Sequence, residues 1–154
     1  MVLVALAALA VTGLFTLILG TIHFFFPRLL DFATAIPRQG AQLMPFRLGP
    51  ICYATKRSDV FGIAWVMNHA ASYTLVSIGI VDLVAIRWLN SPIAPWLTLW
   101  IAGWWFLRAG SQLYLGRRRG DWWILAGFAL LGVIHLAVAL LDPEGSRQLP
   151  RWIE

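Results

Sequence analysis

Four long apolar runs constrain this chain more than any other feature of its sequence. About 20 consecutive apolar residues in an α-helix cross the ~30 Å hydrocarbon core of a bilayer. The chain has four such runs, at about residues 2–26, 60–86, 95–115 and 122–141. With 60% of its 154 residues hydrophobic and 12% charged, it leaves no segment for a separate soluble domain. We therefore predict an all-α integral membrane four-helix bundle, a single transmembrane domain over residues 1–154.

The segments between the runs differ in length and composition. Residues 27–59 form a long connection that carries four prolines, whereas the other two connections are short. Short connections favour antiparallel packing of consecutive helices. The first run has no basic residue before it and no small-residue cleavage site behind it, so we expect a retained helix rather than a signal peptide.

Lysine and arginine residues predict the orientation of the four spans. The first connection holds five of them and the third holds three, so eight lie on one side, against three on the other. The positive-inside rule then places the chain in the cell membrane, a bacterial inner membrane, with both termini outside and loop 27–59 in the cytoplasm. The basic residues are explained by topology and by contact with membrane lipids, and no basic stripe indicates nucleic-acid binding.

A polar stripe interrupts the second apolar run. Asn68, His69, Ser72 and Tyr73 lie within six residues, and Trp65 precedes them by one turn. Side chains three and four residues apart lie on one face of a helix. Such a face is unfavourable against lipid, so we expect it to point into the bundle, with His69 ~13 Å from the cytoplasmic end.

The other runs contribute polar groups of their own. Arg108 lies at a depth similar to that of His69, with Trp104 one turn before it and Gln112 one turn after it. Its guanidinium stays charged, so it must find a partner or extend to the headgroups. Asp59, a loop carbonyl, an anionic ligand and the lipid headgroups remain open as partners. In the first run, His23 follows a face of small residues that allows close helix packing.

One further segment and one further residue need an interpretation. Residues 44–59, with Arg47, Tyr53 and Asp59, could fold over the cytoplasmic end of the bundle or could form an ordinary surface connection. Asp82 lies near the outer end of the second run, and we expect it at the interface near Arg87, without a chemical role.

Metal and cofactor chemistry finds little support in the sequence. The single cysteine, Cys52, excludes an intrachain disulfide and a cysteine-based metal site. The chain has three histidines, and no two of them are spaced to ligate one metal from one helix. Two of the possible pairs differ by roughly 8 Å in depth, which is awkward for bis-histidine haem. We predict no metal and no cofactor, although haem remains open.

Two stretches carry a resemblance to a known family. The sequences IHFFFPRLLDF and LYLGRRRGDWWILAGFALLGVIHL contain the proline that closes the first run and the short basic turn before the last. In these features, and in its size and four spans, the chain resembles small bacterial DoxX-like membrane proteins. The resemblance implies a four-helix membrane fold, covers the architecture only and includes no catalytic motif.

The polar residues suggest three functions. The first is a pocket near the cytoplasmic leaflet that binds a lipophilic small molecule and acts on it as an isomerase, cyclase or hydrolase. The second is a non-catalytic subunit of a membrane complex, and the third is electron transfer with haem or a quinone. A homo-oligomer and a partner membrane subunit both remain open. For the first function we predict His69, Tyr73 and Asp59 as catalytic residues. The predicted ligand-binding residues are Asn68, Ser72, Arg108, Gln112, Trp65, Trp104, Arg47, Tyr53 and His23.

Overall fold

The chain is mostly helical, as expected for an all-α protein. A computed structural model describes residues 2–40, 43–114 and 119–141. The long helices within these residues are α1 (Val2–Phe24), α4 (Arg57–Leu83), α5 (Ala94–Ser111) and α6 (Arg119–Leu141). The short elements are α2 (Phe26–Leu29), α3 (Phe32–Ala35), β1 (Phe46–Leu48), β2 (Ile51–Tyr53) and two 3₁₀ turns, Ala85–Arg87 and Gln112–Tyr114.

Two of the described helices, α1 and α6, are long and apolar enough to cross a membrane. With 27 residues, α4 is long enough to do so, but its polar residues lower its hydropathy. The helix α5 has 18 residues and contains Arg108. Two of the four predicted spans therefore meet this criterion of length and composition, and the four-span bundle stays a prediction.

The helix ends differ from the predicted spans by a few residues. The second helix begins at Arg57 rather than near residue 60 and ends at Leu83, where a 3₁₀ turn replaces the last part of the predicted span. The third helix likewise gives way to a 3₁₀ turn at Gln112, within its predicted span. Such tightening is frequent at helix C-termini, where the last carbonyls lack partners four residues ahead.

The segment between α1 and α4 has more structure than a plain connection. Asp31 has a φ of 44°, in the left-handed region, and it separates the single turns α2 and α3. The strands β1 and β2 pair antiparallel with Leu48 opposite Ile51. Gly49 has a φ of 58° at the start of the two-residue connection and Pro50 follows it, an arrangement that suits a tight hairpin.

The described residues form two compact units, whose boundaries fall inside α1 and α4. Unit 1 comprises residues 2–14, 80–114 and 119–141, and unit 2 comprises residues 15–40 and 43–79. Both helices that cross a boundary therefore contribute residues to each unit.

Unit 1 is built on the packing of α5 against α6. The rings of Trp105 and Phe128 lie 5.5 Å apart, and Trp105 is completely buried. Further along the same pair of helices, a Cβ on Gly132 would lie 2.9 Å from the Phe106 ring, so this glycine lets the two helices approach closely. A second cluster joins Leu9 of α1 to Val138 of α6.

Unit 2 is built on a close approach of α1 to α4. A Cβ on Gly20 would lie 2.8 Å from Leu75 Cβ and 2.9 Å from the backbone nitrogen of Val76. Only a residue without a side chain fits there. The expected role of the small residues of the first helix in close packing is therefore confirmed at Gly20.

Candidate functional sites

Three side chains of unit 2 form a closed cycle of hydrogen bonds between α1 and α4. The Ser72 hydroxyl donates to the Asn68 carbonyl over 2.7 Å, and the Asn68 amide nitrogen donates to the His23 carbonyl over 3.1 Å. His23 Nδ1 lies 3.1 Å from Ser72 Oγ. Because the Ser72 hydroxyl has already donated its one hydrogen, His23 Nδ1 must be the donor in this contact.

The cycle explains why α4 carries polar residues at these positions. Asn68 and Ser72 are buried, as the inward-facing stripe predicts. The His23 carbonyl lies at the C-terminal end of α1, where the carbonyls of a helix commonly take partners from outside the helix. Asn68 supplies such a partner from α4. Two members of the predicted stripe therefore join helices within unit 2.

His69, one residue after Asn68, is held in a different way. Its Nδ1 lies 2.8 Å from the carbonyl of Trp65, four residues earlier. Its ring stacks on Trp65 at 5.6 Å and 17°, and meets the edge of Phe24 at 4.7 Å and 84°. The imidazole is half-buried, and its Nε2 has no hydrogen-bond partner among the described residues.

The other two predicted catalytic residues do not join His69. Tyr73 is 75% exposed, so the expectation that it faces inward with the stripe is wrong. Asp59 lies in the first turn of α4, where its Oδ2 accepts a hydrogen bond from the Lys56 backbone nitrogen over 2.9 Å. This contact caps the helix, and ten residues, or ~15 Å along α4, separate Asp59 from His69. The catalytic roles of Tyr73 and Asp59 remain predictions without a supporting contact.

The predicted ligand-binding residues of the long connection lie on the hairpin. Arg47 is exposed on β1, where it pairs with Cys52 of β2. Tyr53 pairs through its backbone with Phe46 at the other end of the hairpin. Folding of this segment over the end of the bundle remains a prediction.

Three predicted ligand-binding residues, Trp104, Arg108 and Gln112, belong to unit 1. Arg108 is half-buried, donates from Nη1 to Ser111 Oγ over 2.9 Å and lies 5.0 Å from the Phe128 ring. No carboxylate of the described chain pairs with it. Trp104 packs edge-on against Trp105 at 4.9 Å, and Gln112 is buried.

Sequence reasoning missed a second polar site, which lies in unit 1. Asp82, expected at the interface near Arg87, is instead 1% exposed, so that expectation is wrong. Its Oδ2 lies 3.0 Å from Nε2 of His135, which is completely buried on α6. The Thr12 hydroxyl on α1 approaches the same oxygen at 3.4 Å. Three helices thus meet at one carboxylate.

The Asp82–His135 contact must contain a proton. His135 Nδ1 lies 2.8 Å from the Leu131 carbonyl, which only accepts hydrogen bonds, so Nδ1 carries a hydrogen. At 3.0 Å, Nε2 and Oδ2 attract each other only if one of them also carries a hydrogen. The pair is therefore either a carboxylate with an imidazolium or a carboxylic acid with a neutral imidazole. Both forms are neutral overall, which lowers the cost of burial.

A general signal could have pointed to this pair. An ionisable residue inside a membrane span is a functional or paired group by default, and both Asp82 and His135 lie within runs that the sequence predicts to be spans. Their separation of 53 residues hides the pairing, because sequence spacing reveals neighbours only along one helix.

Several buried polar atoms have no hydrogen-bond partner in the described part of the chain. They are Trp65 Nε1, Asp82 Oδ1, Trp105 Nε1 and Gln112 Oε1. Buried polar groups are normally paired, since leaving one unpaired costs about 1–3 kcal/mol. A cluster of three or more potential metal ligands does not occur among residues 2–40, 43–114 and 119–141.

Comparison of the chain with protein-family models, with curated proteins and with solved structures finds no match. The resemblance to DoxX-like proteins therefore remains a prediction.

Proposed function

We propose that this protein is an integral membrane protein that binds a lipophilic small molecule at His69. The observation that carries the proposal is the state of this imidazole within unit 2. One ring nitrogen is anchored to the Trp65 carbonyl, the ring is held between Trp65 and Phe24, and the second nitrogen has no partner in the described part of the chain. An imidazole held in one orientation, with one nitrogen as donor and the other as acceptor, also suits acid–base chemistry on the bound molecule.

Exposed apolar side chains support the membrane location. Only 22% of the most apolar window of α1 and 28% of that of α6 is buried, whereas a core helix of a soluble protein is mostly buried. Along α4, Val66 and Met67 are 67% and 63% exposed beside the buried Asn68. Such a surface is stable against lipid rather than water. The further proposal, four spans with the basic connections in the cytoplasm, rests on the distribution of Lys and Arg.

A second candidate function, a non-catalytic subunit of a membrane complex, also has a specific observation in its favour. The cycle of His23, Asn68 and Ser72 uses the polar stripe for contacts between α1 and α4. A stripe with only that role needs no ligand. The two candidates make opposite predictions for His69, a half-buried member of the stripe that lies outside the cycle.

Native mass spectrometry of the protein in mild detergent tests the proposal. We expect the wild type to retain a lipophilic molecule and the His69→Ala variant to lose it. Met67→Ala is the matched control, because Met67 lies two residues away on the exposed face of the same helix. Retention of the same molecule by His69→Ala, with its helical content unchanged, would contradict the proposal and favour the subunit function. An absorbance spectrum of the same preparation tests the haem alternative.

A further inference from the structure

The position of the hydrogen on His69 follows from its partner. The Trp65 carbonyl, 2.8 Å from Nδ1, can only accept a hydrogen bond. Nδ1 must therefore be the protonated nitrogen. In the neutral imidazole the other nitrogen, Nε2, then carries a lone pair and acts as an acceptor.

The direction of that acceptor is fixed as well. Stacking on Trp65 and the edge contact with Phe24 hold the plane of the ring, and the Nδ1 hydrogen bond sets its rotation. Nε2 is not among the completely buried unpaired atoms of the described chain, so it remains accessible. The site thus presents one oriented acceptor beside aromatic rings.

Asn68 and Ser72, the buried polar neighbours of His69 on α4, make their hydrogen bonds within the protein instead. The Ser72 hydroxyl donates its hydrogen to the Asn68 carbonyl and accepts from His23, and the Asn68 amide nitrogen donates to the His23 carbonyl. These groups are engaged in joining α1 to α4. Trp65 Nε1, the unpaired donor of the ring stacked on His69, is completely buried and is not presented to a ligand. The hydrogen-bonding preference of the site is therefore set by His69.

We infer that the molecule bound at His69 carries a hydroxyl group, as a lipophilic alcohol or phenol does, and that this hydroxyl donates to Nε2. The inference rests on the proposed function and deepens it by naming the ligand class. A ketone, ester or ether of the same shape has only acceptors, and these would place a second lone pair against Nε2. Loss of one hydrogen bond in a desolvated site lowers affinity about tenfold to a hundredfold.

A matched pair of probes tests the inference. We would measure binding of a long-chain alkylphenol and of its methyl ether to the full chain in nanodiscs, with protein-free nanodiscs as the blank for partitioning. The two probes share their ring and their chain and differ only in the hydroxyl hydrogen. We expect the wild type to bind the phenol about tenfold to a hundredfold more tightly than the ether.

The His69→Phe variant identifies the acceptor. Phenylalanine keeps the ring contacts with Trp65 and Phe24 but has no nitrogen, so the variant should bind both probes equally and weakly. The control Met67→Ala should retain the wild-type preference for the phenol.

Three outcomes separate the inference from the proposed function. If the wild type binds both probes equally and His69→Phe weakens both, the hydroxyl requirement is wrong while binding at His69 stands. A preference for the ether would mean that Nε2 donates, which also overturns the inference. If neither probe depends on His69, both proposals fail.

A measurement on the wild type keeps the test independent of any variant's folding. The ¹⁵N spectrum of labelled histidine should show His69 with a protonated Nδ1 and an unprotonated Nε2. We expect the phenol, and not the ether, to shift the Nε2 signal. A protonated Nε2 in the ligand-free protein would overturn the inference.

Discussion

His69 and His135 start from the same local geometry and end in opposite environments. In each, Nδ1 lies 2.8 Å from the carbonyl four residues earlier on its own helix. The Nε2 of His135 is then paired with Asp82 in a completely buried contact, whereas that of His69 has no partner within residues 2–40, 43–114 and 119–141. The first arrangement joins helices, and the second leaves an oriented acceptor. The partner of the second nitrogen, rather than the histidine itself, therefore separates the structural contact of His135 from the binding role that we propose for His69.

The largest effect should come from breaking the Asp82–His135 pair. Asp82→Ala leaves His135 buried without its partner, and removing one member of a buried pair costs about 3–5 kcal/mol. Asp82→Asn is the control, because its amide can still donate to Nε2 of a neutral imidazole. Denaturant unfolding in detergent measures both variants. If Asp82→Ala proved no less stable than a His69 variant, the contrast between the two histidines would be wrong.

The close approach at Gly20 should give the next largest effect. Gly20→Ala places a Cβ against backbone and Cβ atoms that cannot move aside easily, and such overpacking costs about 1–3 kcal/mol. Gly62→Ala is the matched control on α4, since nothing lies within 4 Å of its added Cβ. That variant should gain up to about 1 kcal/mol from helix propensity. Equal thermal stability of the two variants would contradict the close packing of α1 on α4.

Ser72→Ala should have a smaller effect on the unit that contains His69. It removes the contact with His23, which joins α1 to α4, and the bond to the Asn68 carbonyl, which lies within α4. An interhelical hydrogen bond in a membrane contributes about 0.6 kcal/mol, so a total loss of about 0.6–1 kcal/mol is expected. The His23 ring also loses its acceptor, which the ¹⁵N signal of His23 would report. An unchanged His23 signal in the variant would mean that the cycle does not form.

The smallest effect on stability should come from His69→Phe. The ring contacts with Trp65 and Phe24 persist and one hydrogen bond is lost, so the free energy of unfolding should fall by about 0.6 kcal/mol or less. Ligand retention should nevertheless disappear. Comparison of melting temperatures with native mass spectra separates the two effects. A large loss of stability would place His69 with His135 among the structural residues.

Much of this arrangement is visible in the sequence because it depends on residues along one helix. The apolar runs predict α1 and α6, and the spacing of Asn68 and Ser72 predicts that they face inward together. The exposure of Tyr73, in contrast, does not follow from its spacing along α4. One residue turns a helix by about 100°, so a single position separates a buried Ser72 from a Tyr73 that is 75% exposed. The edge of the buried face depends on where α1 packs, which α4 alone does not reveal.

The contacts of charged residues near the helix ends do not follow from the sequence in the same way. Asp59 has a carboxyl group that could act as an acid or a base. Its position in the first turn of α4, however, lets it accept a hydrogen bond from the Lys56 backbone nitrogen. Arg108 was expected to find a carboxylate, a loop carbonyl, an anionic ligand or the headgroups. Among the described residues it contacts Ser111 on its own helix and Phe128 on α6, and the anionic ligand and the headgroups stay predictions.

The sequence by itself determined the helical class, the apolar runs and the inward face of α4, because apolar length and helical period are properties of neighbouring residues. Only the tertiary structure decided which polar groups are satisfied. It paired Asp82 with His135 across 53 residues, enclosed Asn68 and Ser72 in a cycle with His23, and left Nε2 of His69 without a partner among the residues that the structure describes. Hydrogen bonding between helices depends on which faces meet and at what height, and a one-dimensional pattern contains neither quantity.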